Sequence, residues 1–233
     1  MKKKYKVLSL LLVGTLTIGV IPSVCANAKE INVLDQTNES SNIKFDKNSI
    51  PDDEVIAYIE GIAITKDDID ENGKITANLN YVQENSLLSE NKIRATSLTI
   101  PSRLPSGYKE ACIVKKLNNK QARLSQTTTD MYLTVSNARK MATKFDVSSY
   151  ESLASYVVTL FPGTTVVGLE LLLSQGQRSE VASDIRSYTD NDQQVRFRVI
   201  KTSYGTLYRV DYWNGKTLDT TLHDEIVSSI KYN

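Results

Sequence analysis

The sequence predicts an α+β fold, and three observations predict it. Between Ser148 and Thr189 apolar residues recur at helical spacing behind a Ser148-x-x-Glu151 capping box. From Gln194 the apolar period changes to two, the spacing of a strand with unlike faces. Asn214-Gly215, a strong hairpin-turn dipeptide, then follows the second such run. The two patterns come in succession and do not alternate, which places an antiparallel sheet beside helices.

The chain opens with Lys2, Lys3, Lys4 and Lys6, continues through VLSLLLVGTLTIGVIPSV and reaches Ala26-Asn27-Ala28. A charged start, a short apolar run and a small-residue A-x-A site are the parts of a secretory signal peptide. Residues 1–28 are therefore expected to be a leader cleaved after Ala28, leaving a secreted, extracellular and soluble chain. A lipoprotein anchored through Cys25 would need a small residue before it, and Val24 stands there. The all-lysine start and the lack of a wall-sorting motif suggest a Gram-positive bacterium. Maturation leaves 205 of the 233 residues, with 24 basic against 27 acidic side chains and a net charge of −3. Such a chain has no overall field for nucleic acid. Cys112, in the apolar run EACIVKKL, is then the single cysteine, read as a buried inert thiol with an intermolecular disulfide as the alternative.

Residues 29–52 are rich in Asn, Ser, Asp and Lys, and are expected to be a flexible acidic lead-in. Residues 53–95 are expected to form a small N-terminal subdomain. In it β-branched residues flank Glu60-Gly61 as a strand, turn and strand, and Thr65 with Asp68 suggests a helix cap. The pattern V-I-A-Y-I-x-G-x-x-I-T-x-x-D is similar to the entry segment of parvulin-type and trigger-factor-like chaperones. That resemblance spans some fifteen residues and implies no activity. Residues 96–107, with two prolines and a glycine, read as a linker to a C-terminal α+β domain at 108–233. From Ile113 to Lys144 there are seven basic residues against one Asp, whereas Lys29 to Gly73 has twelve acidic residues against four lysines. This lopsidedness suits either attraction between the halves or an anionic partner.

In the C-terminal domain the spacing predicts one helix from Ser148 to Pro162-Gly163, a second over TTVVGLELLL and a third with Val181, Ile185 and Tyr188 on its apolar face. The first two would form an apolar hairpin, residues 154–173, that buries Leu153, Val157, Leu160, Leu169 and Leu172. Val195, Phe197 and Val199 alternate with Arg196 and Arg198, and Tyr208, Val210 and Tyr212 with Arg209, Asp211 and Trp213. A third strand is expected from Lys216, and EIVSSIKY is read as a strand, completing a β-meander.

Several activities lack their residues. His223 is the single histidine, there is no G-x-S-x-G, no H-E-x-x-H and no phosphate-cradling glycine loop. A hydrolase working through carboxylates alone survives, because its pair has no local signature. The stretch DIDENGKI places Asp68, Asp70 and Asn72 at the first, third and fifth positions of a calcium loop, with Gly73 at the sharp turn. It resembles the loop of dockerins and other extracellular calcium modules, which implies an oxygen-ligated cation. The twelfth position, which should carry a bidentate carboxylate, is Leu79, and no second copy follows. An Asn72-Gly73 turn is therefore expected, with at most weak calcium binding at Asp68, Asp70, Asn72 and Thr76 and no other cofactor.

Leader, apolar hairpin and β tail together resemble small secreted proteins of Gram-positive bacteria, a likeness that implies a habitat and no mechanism. The leading expectation is a non-catalytic interaction module for a cell-wall polymer or a protein partner, contacting it through Arg196, Arg198, Tyr208, Tyr212 and Trp213. The alternatives are a membrane-active antibacterial or toxin-like protein that uses 154–173 on an anionic membrane surface, and a carboxylate-only hydrolase.

Overall fold

A computed structural model describes residues 45–79, 98–117, 124–147, 150–163 and 173–233. The leader with its cleavage site, residues 29–44 and the second apolar arm at 164–172, including Leu169 and Leu172, lie outside the described residues. The described residues all belong to one compact unit, Asn42–Asn233.

Ten elements follow in order: β1 (Ala57–Ile59), β2 (Ile62–Ile64), β3 (Ala111–Leu117), β4 (Thr127–Leu133), α1 (Val135–Val147), α2 (Tyr150–Leu160), α3 (Gln175–Thr189), β5 (Gln194–Thr202), β6 (Gly205–Trp213) and β7 (Glu225–Tyr232). β1 and β2 form a hairpin of their own, and the other strands make one antiparallel sheet in the order β6-β5-β4-β3-β7. The fold is thus α+β, as the successive periods predict.

Strand alternation sorts the sheet into two faces. Met131, Leu133, Val195, Phe197, Val199, Tyr208 and Val210 point toward the helices and share a core with Ala138, Met141, Phe145, Leu153, Val157, Val181 and Ile185. Phe145 meets Phe197 edge-on, with ring centroids 5.5 Å apart, a favoured aromatic geometry. Leu153, Val157 and Leu160 are buried, so the described arm of the apolar hairpin lies in the core. Helix α1 falls in the stretch that composition marks only as basic. Ala138, Met141, Ala142 and Phe145 supply its buried stripe at i, i+3, i+4 and i+7. The hydroxyl of Thr134, just before it, accepts from Asn137 N (3.4 Å), and buried Glu110 accepts from Thr134 N (2.8 Å).

The opposite face is covered too. Phe45, Ile50, Ile56, Ile59, Ile64, Ile69 and Ile75 pack with Ile200 and Leu207 of the sheet, and Ile100 and Leu218 pack with Ile113, Tyr132 and Trp213. The flexible lead-in, the 53–95 subdomain and the 96–107 linker are therefore not set apart in their described portions. Phe45 and Ile50 are buried around a 3-10 turn at Lys47–Ser49, and Leu104 N and Leu218 N exchange bonds with Lys216 O and Ser102 O. Composition counts polar residues, but a few isoleucines at the right spacing suffice to bury such a segment.

Two local expectations are corrected. Thr65 and Asp68 begin only a 3-10 turn, Lys66–Asp68, in which Asp68 Oδ2 accepts from Thr65 N (2.9 Å). Asn214-Gly215 does not open a third meander strand. Asn214 Oδ1 accepts from Lys216 N and Thr217 N, both at 2.9 Å or less, and turns the chain across the sheet face. The next strand, β7, pairs with β3. The outer edge of β6 is already taken: Ile75 N donates to Tyr208 O (2.9 Å) and Tyr208 N to Gly73 O (3.1 Å).

Candidate functional site

The covered polar face of the sheet holds a lattice of charge. Registers place Asp130 opposite Arg198, Arg198 opposite Arg209, and Arg196 opposite Asp211. Arg198 Nε donates to Asp130 Oδ1 (2.5 Å), its Nη2 to Asp219 Oδ2 (3.1 Å) and its Nη1 to Glu60 Oε1 (3.2 Å). Arg196 donates to the same Glu60 oxygen (2.6 Å) and to Asp211 Oδ2 (3.0 Å). Lys115 Nζ lies 3.0 Å from Asp219 and 3.4 Å from Asp130, and Arg209 Nε lies 2.6 Å from Asp211. Four cations, Lys115, Arg196, Arg198 and Arg209, thus interlock with four anions, Glu60, Asp130, Asp211 and Asp219.

Each anion from outside the sheet is delivered by a specific turn. Glu60 and Gly61 form the two-residue β1–β2 loop at φ +52° and +81°, the left-handed pair that a tight hairpin requires. Glycine accepts that conformation freely; glutamate does so at a cost, and here its carboxylate reaches two guanidiniums. The hairpin is fastened by Gln126, whose amide donates to Tyr58 O and accepts from Tyr58 N, both at 2.7 Å. Asp219 sits on the loop after Asn214, and its N–H donates to Tyr132 Oη (3.0 Å).

Electrostatics follow from this pairing. Burial opposes ionisation of Asp130, but the charges of Arg198 and Lys115 and the bond from Arg198 outweigh it and hold its carboxyl below the usual range. Asp219 is likewise lowered, burial being outweighed by Lys115 and Arg198. Glu225 behaves oppositely: burial pushes it up to about 7, with Lys115 pulling against the shift and Asp130 adding to it. Its Oε1 accepts from Gln126 Nε2 (3.1 Å). Burial, then Asp130, push the Cys112 thiol up to about 12, which leaves it an inert core group.

Beside this lattice opens a cleft of about 650 Å³. Its lining comes from the β1–β2 hairpin (Glu60, Ile62), from Leu79 and Ser102, from the sheet (Tyr132, Arg196, Tyr212, Trp213) and from the loop carrying Asn214, Thr217, Asp219, Thr220 and Thr221. Trp213 is anchored by Nε1 donating to Thr217 O (2.8 Å) and meets Tyr132 edge-on at 5.4 Å.

Of the five residues expected to form an exposed contact face, Arg196, Tyr212 and Trp213 border this cleft. Arg198 and Tyr208 do not, and both are buried, as is most of Trp213. Arg198 and Tyr208 have no surface for the contact expected of them, whereas Trp213 keeps a place in the cleft lining. Alternation shows which residues share a face, but it does not show that both faces are covered. Only Tyr212, at 57 % exposure, is a large exposed aromatic among the five. Tyr208 Oη instead donates to Glu180 of α3, on the helical side.

The calcium-like residues share one loop but use their oxygens internally. Asp70 Oδ1 accepts from Asn72 N and Lys74 N, both at 2.9 Å, and Thr76 Oγ1 donates to Asp68 O (3.1 Å). Asn72 Nδ2 donates to Glu180, Gln177 Nε2 to Asn72 O (2.7 Å) and Lys74 Nζ to Asp184 (2.8 Å). The motif clamps the sheet edge to α3. Among the described residues no group of three His, Cys, Asp or Glu side chains is placed to hold a metal ion.

In comparisons with known proteins the chain matches no family model, no curated protein and no solved structure.

Proposed function

We propose that the chain is a secreted, non-catalytic binding module for a polymer of the bacterial cell wall, and that the cleft beside the charge lattice is its contact site. The observation that carries this reading is the cleft's lining, which combines the hydroxyl and amide side chains of Ser102, Asn214, Thr217, Thr220 and Thr221 with the rings of Tyr132, Tyr212 and Trp213. A concave site that joins apolar surface to a few polar groups is the ordinary form of a ligand site.

The cleft's own carboxylates argue against hydrolysis. A glycosidase pair needs one carboxyl kept protonated as the general acid. Asp219 is shifted the wrong way, and Glu60 accepts from two guanidiniums. Glu225, the carboxyl with the suitable shift, does not line the cleft. His223 stacks on Tyr58, with ring centroids 3.9 Å apart. The membrane-active alternative loses support because the described apolar arm of 154–173 is spent in the core; no described helix is long and apolar enough to cross a membrane.

The test is co-sedimentation of the purified chain with isolated Gram-positive cell walls, with wall turbidity followed in parallel. Retention on walls without clearing is expected, and Thr220→Trp, which puts a bulky ring on the lining, should release the protein. Clearing of the walls, or retention that Thr220→Trp leaves unchanged, would overturn the reading.

A further inference from the structure

We infer that the cleft takes an uncharged saccharide segment, the glycan strand of the wall and not its phosphate-bearing polymers. This rests on the binding-module reading and names the ligand chemistry of that same site.

The inference comes from what the charged groups have left to offer. Arg196 is the single Lys, Arg or His among the lining residues, and Glu60 and Asp219 line the cleft with it, so the formal charge of the lining is −1. Both terminal nitrogens of Arg196 are committed, Nη1 to Glu60 at 2.6 Å and Nη2 to Asp211 at 3.0 Å. Behind it Arg198 and Lys115 are locked onto Asp130 and Asp219. Phosphate recognition needs a guanidinium fork or an ammonium free to meet it. Here a phosphodiester would have to displace Glu60 or Asp211 from a half-buried ion pair first.

A sugar asks for something different. Its hydroxyls both donate and accept, so it matches a lining that mixes hydroxyl and amide side chains with carboxylate acceptors. Ser102, Thr220 and Thr221 supply the former and Glu60 the latter, while Asn214, Thr217 and Asp219 are spent on holding the loop in place. Ile62, Leu79 and the exposed ring of Tyr212 offer apolar surface for the carbon faces of the rings. The volume of about 650 Å³ falls in the range of small-ligand sites, about 300–1,000 Å³, which admits a short saccharide and not a folded partner. The loop that carries most of these groups is already fixed by Asn214, by Trp213 Nε1 and by the bridge from Arg103 to Thr217. A preformed loop loses little ordering entropy on binding.

The experiment compares the purified full chain on three probes: intact Gram-positive sacculi, the same sacculi stripped of teichoic acid by hydrofluoric acid, and soluble polyphosphate. Equal binding to intact and stripped sacculi is expected, with none to polyphosphate and little change between low and high salt. Thr220→Trp and, separately, Thr217→Trp should each weaken binding to stripped sacculi about tenfold or more, the equivalent of about 1.4 kcal/mol. A melt of each variant identifies any that fails to fold, and the other then decides. Binding to intact sacculi and polyphosphate that vanishes on stripping or in salt would overturn the saccharide inference while leaving the module standing. Binding to none of the probes would remove both.

Discussion

Asp130 is fully buried and holds two cations, and that single residue sets what the polar face costs. Removing one member of a buried pair leaves an unpaired charge in low dielectric, worth about 3–5 kcal/mol, far more than the pair's net contribution. Asp130→Asn should therefore lower stability by about 3–5 kcal/mol in chemical denaturation, and a change near zero would show the cluster to be water-filled. Glu225 gives a pH signature. Its folded value is raised to about 7 from 4.5, so its contribution is complete below about 4.5 and is lost as pH rises through 7. Asp219, lowered in the fold, contributes the reverse: its stabilisation is present above 3.8 and lost as pH falls through its folded value. Stability measured from pH 4.5 to 8 should fall less in Glu225→Gln than in the parent; identical profiles would refute the shift. Apart from the pairs that Asp211 makes with Arg209 and Arg196 within one hairpin, this network could not be read locally. Arg196 and Arg198 are plain in the sequence, but their partners lie 68 residues away at Asp130 and 136 or 138 away at Glu60. A charge alternating with apolar residues reads as solvent-facing unless something is known to cover it.

Elements were legible where their signal was periodic and local. The two-residue loop at Glu60-Gly61, the strands β5 and β6 and the apolar faces of α2 and α3 follow the spacing that predicts them. Helix α1 carried an equally clear stripe but sat in a stretch dominated by its charges, and β3 and β4 lack clean alternation because both of their faces are buried. The DIDENGKI loop shows the limit of a motif. Its aspartates and glycine serve a turn equally well, and its true partners, Gln177, Glu180 and Tyr208, are distant in sequence. Gly73 is the fixed point: φ is +77°, and an added Cβ would lie 3.0 Å from Thr206 O and 3.2 Å from Phe45. Gly73→Ala should destabilise the chain by about 1–3 kcal/mol from backbone strain alone. Millimolar calcium should leave the melting temperature where a chelator leaves it. A site filled a hundredfold above its dissociation constant would add about 2.7 kcal/mol, so a rise of several degrees, abolished by Asp70→Ala, would contradict the clamp.

At the scale of the molecule, one sheet is buried on both sides by unlike means. Helices cover one face with apolar packing, and the N-terminal hairpin, the 98–104 run and the loop after Asn214 cover the other over a charged floor. The second cover is incomplete, and the gap in it is the cleft. The acidic N-terminal stretch does meet cations here, Glu60 against Arg196 and Arg198, but these lie outside the basic stretch 113–144 that composition singles out. The most direct test of a binding site in that gap is an amide chemical-shift titration of the isotopically labelled chain with soluble glycan fragments of stripped wall. Shifts should concentrate at Glu60, Ser102, Thr217, Thr220 and Thr221, with α1, α2 and α3 unmoved; shifts confined to the helices, or none at saturating fragment, would contradict the account.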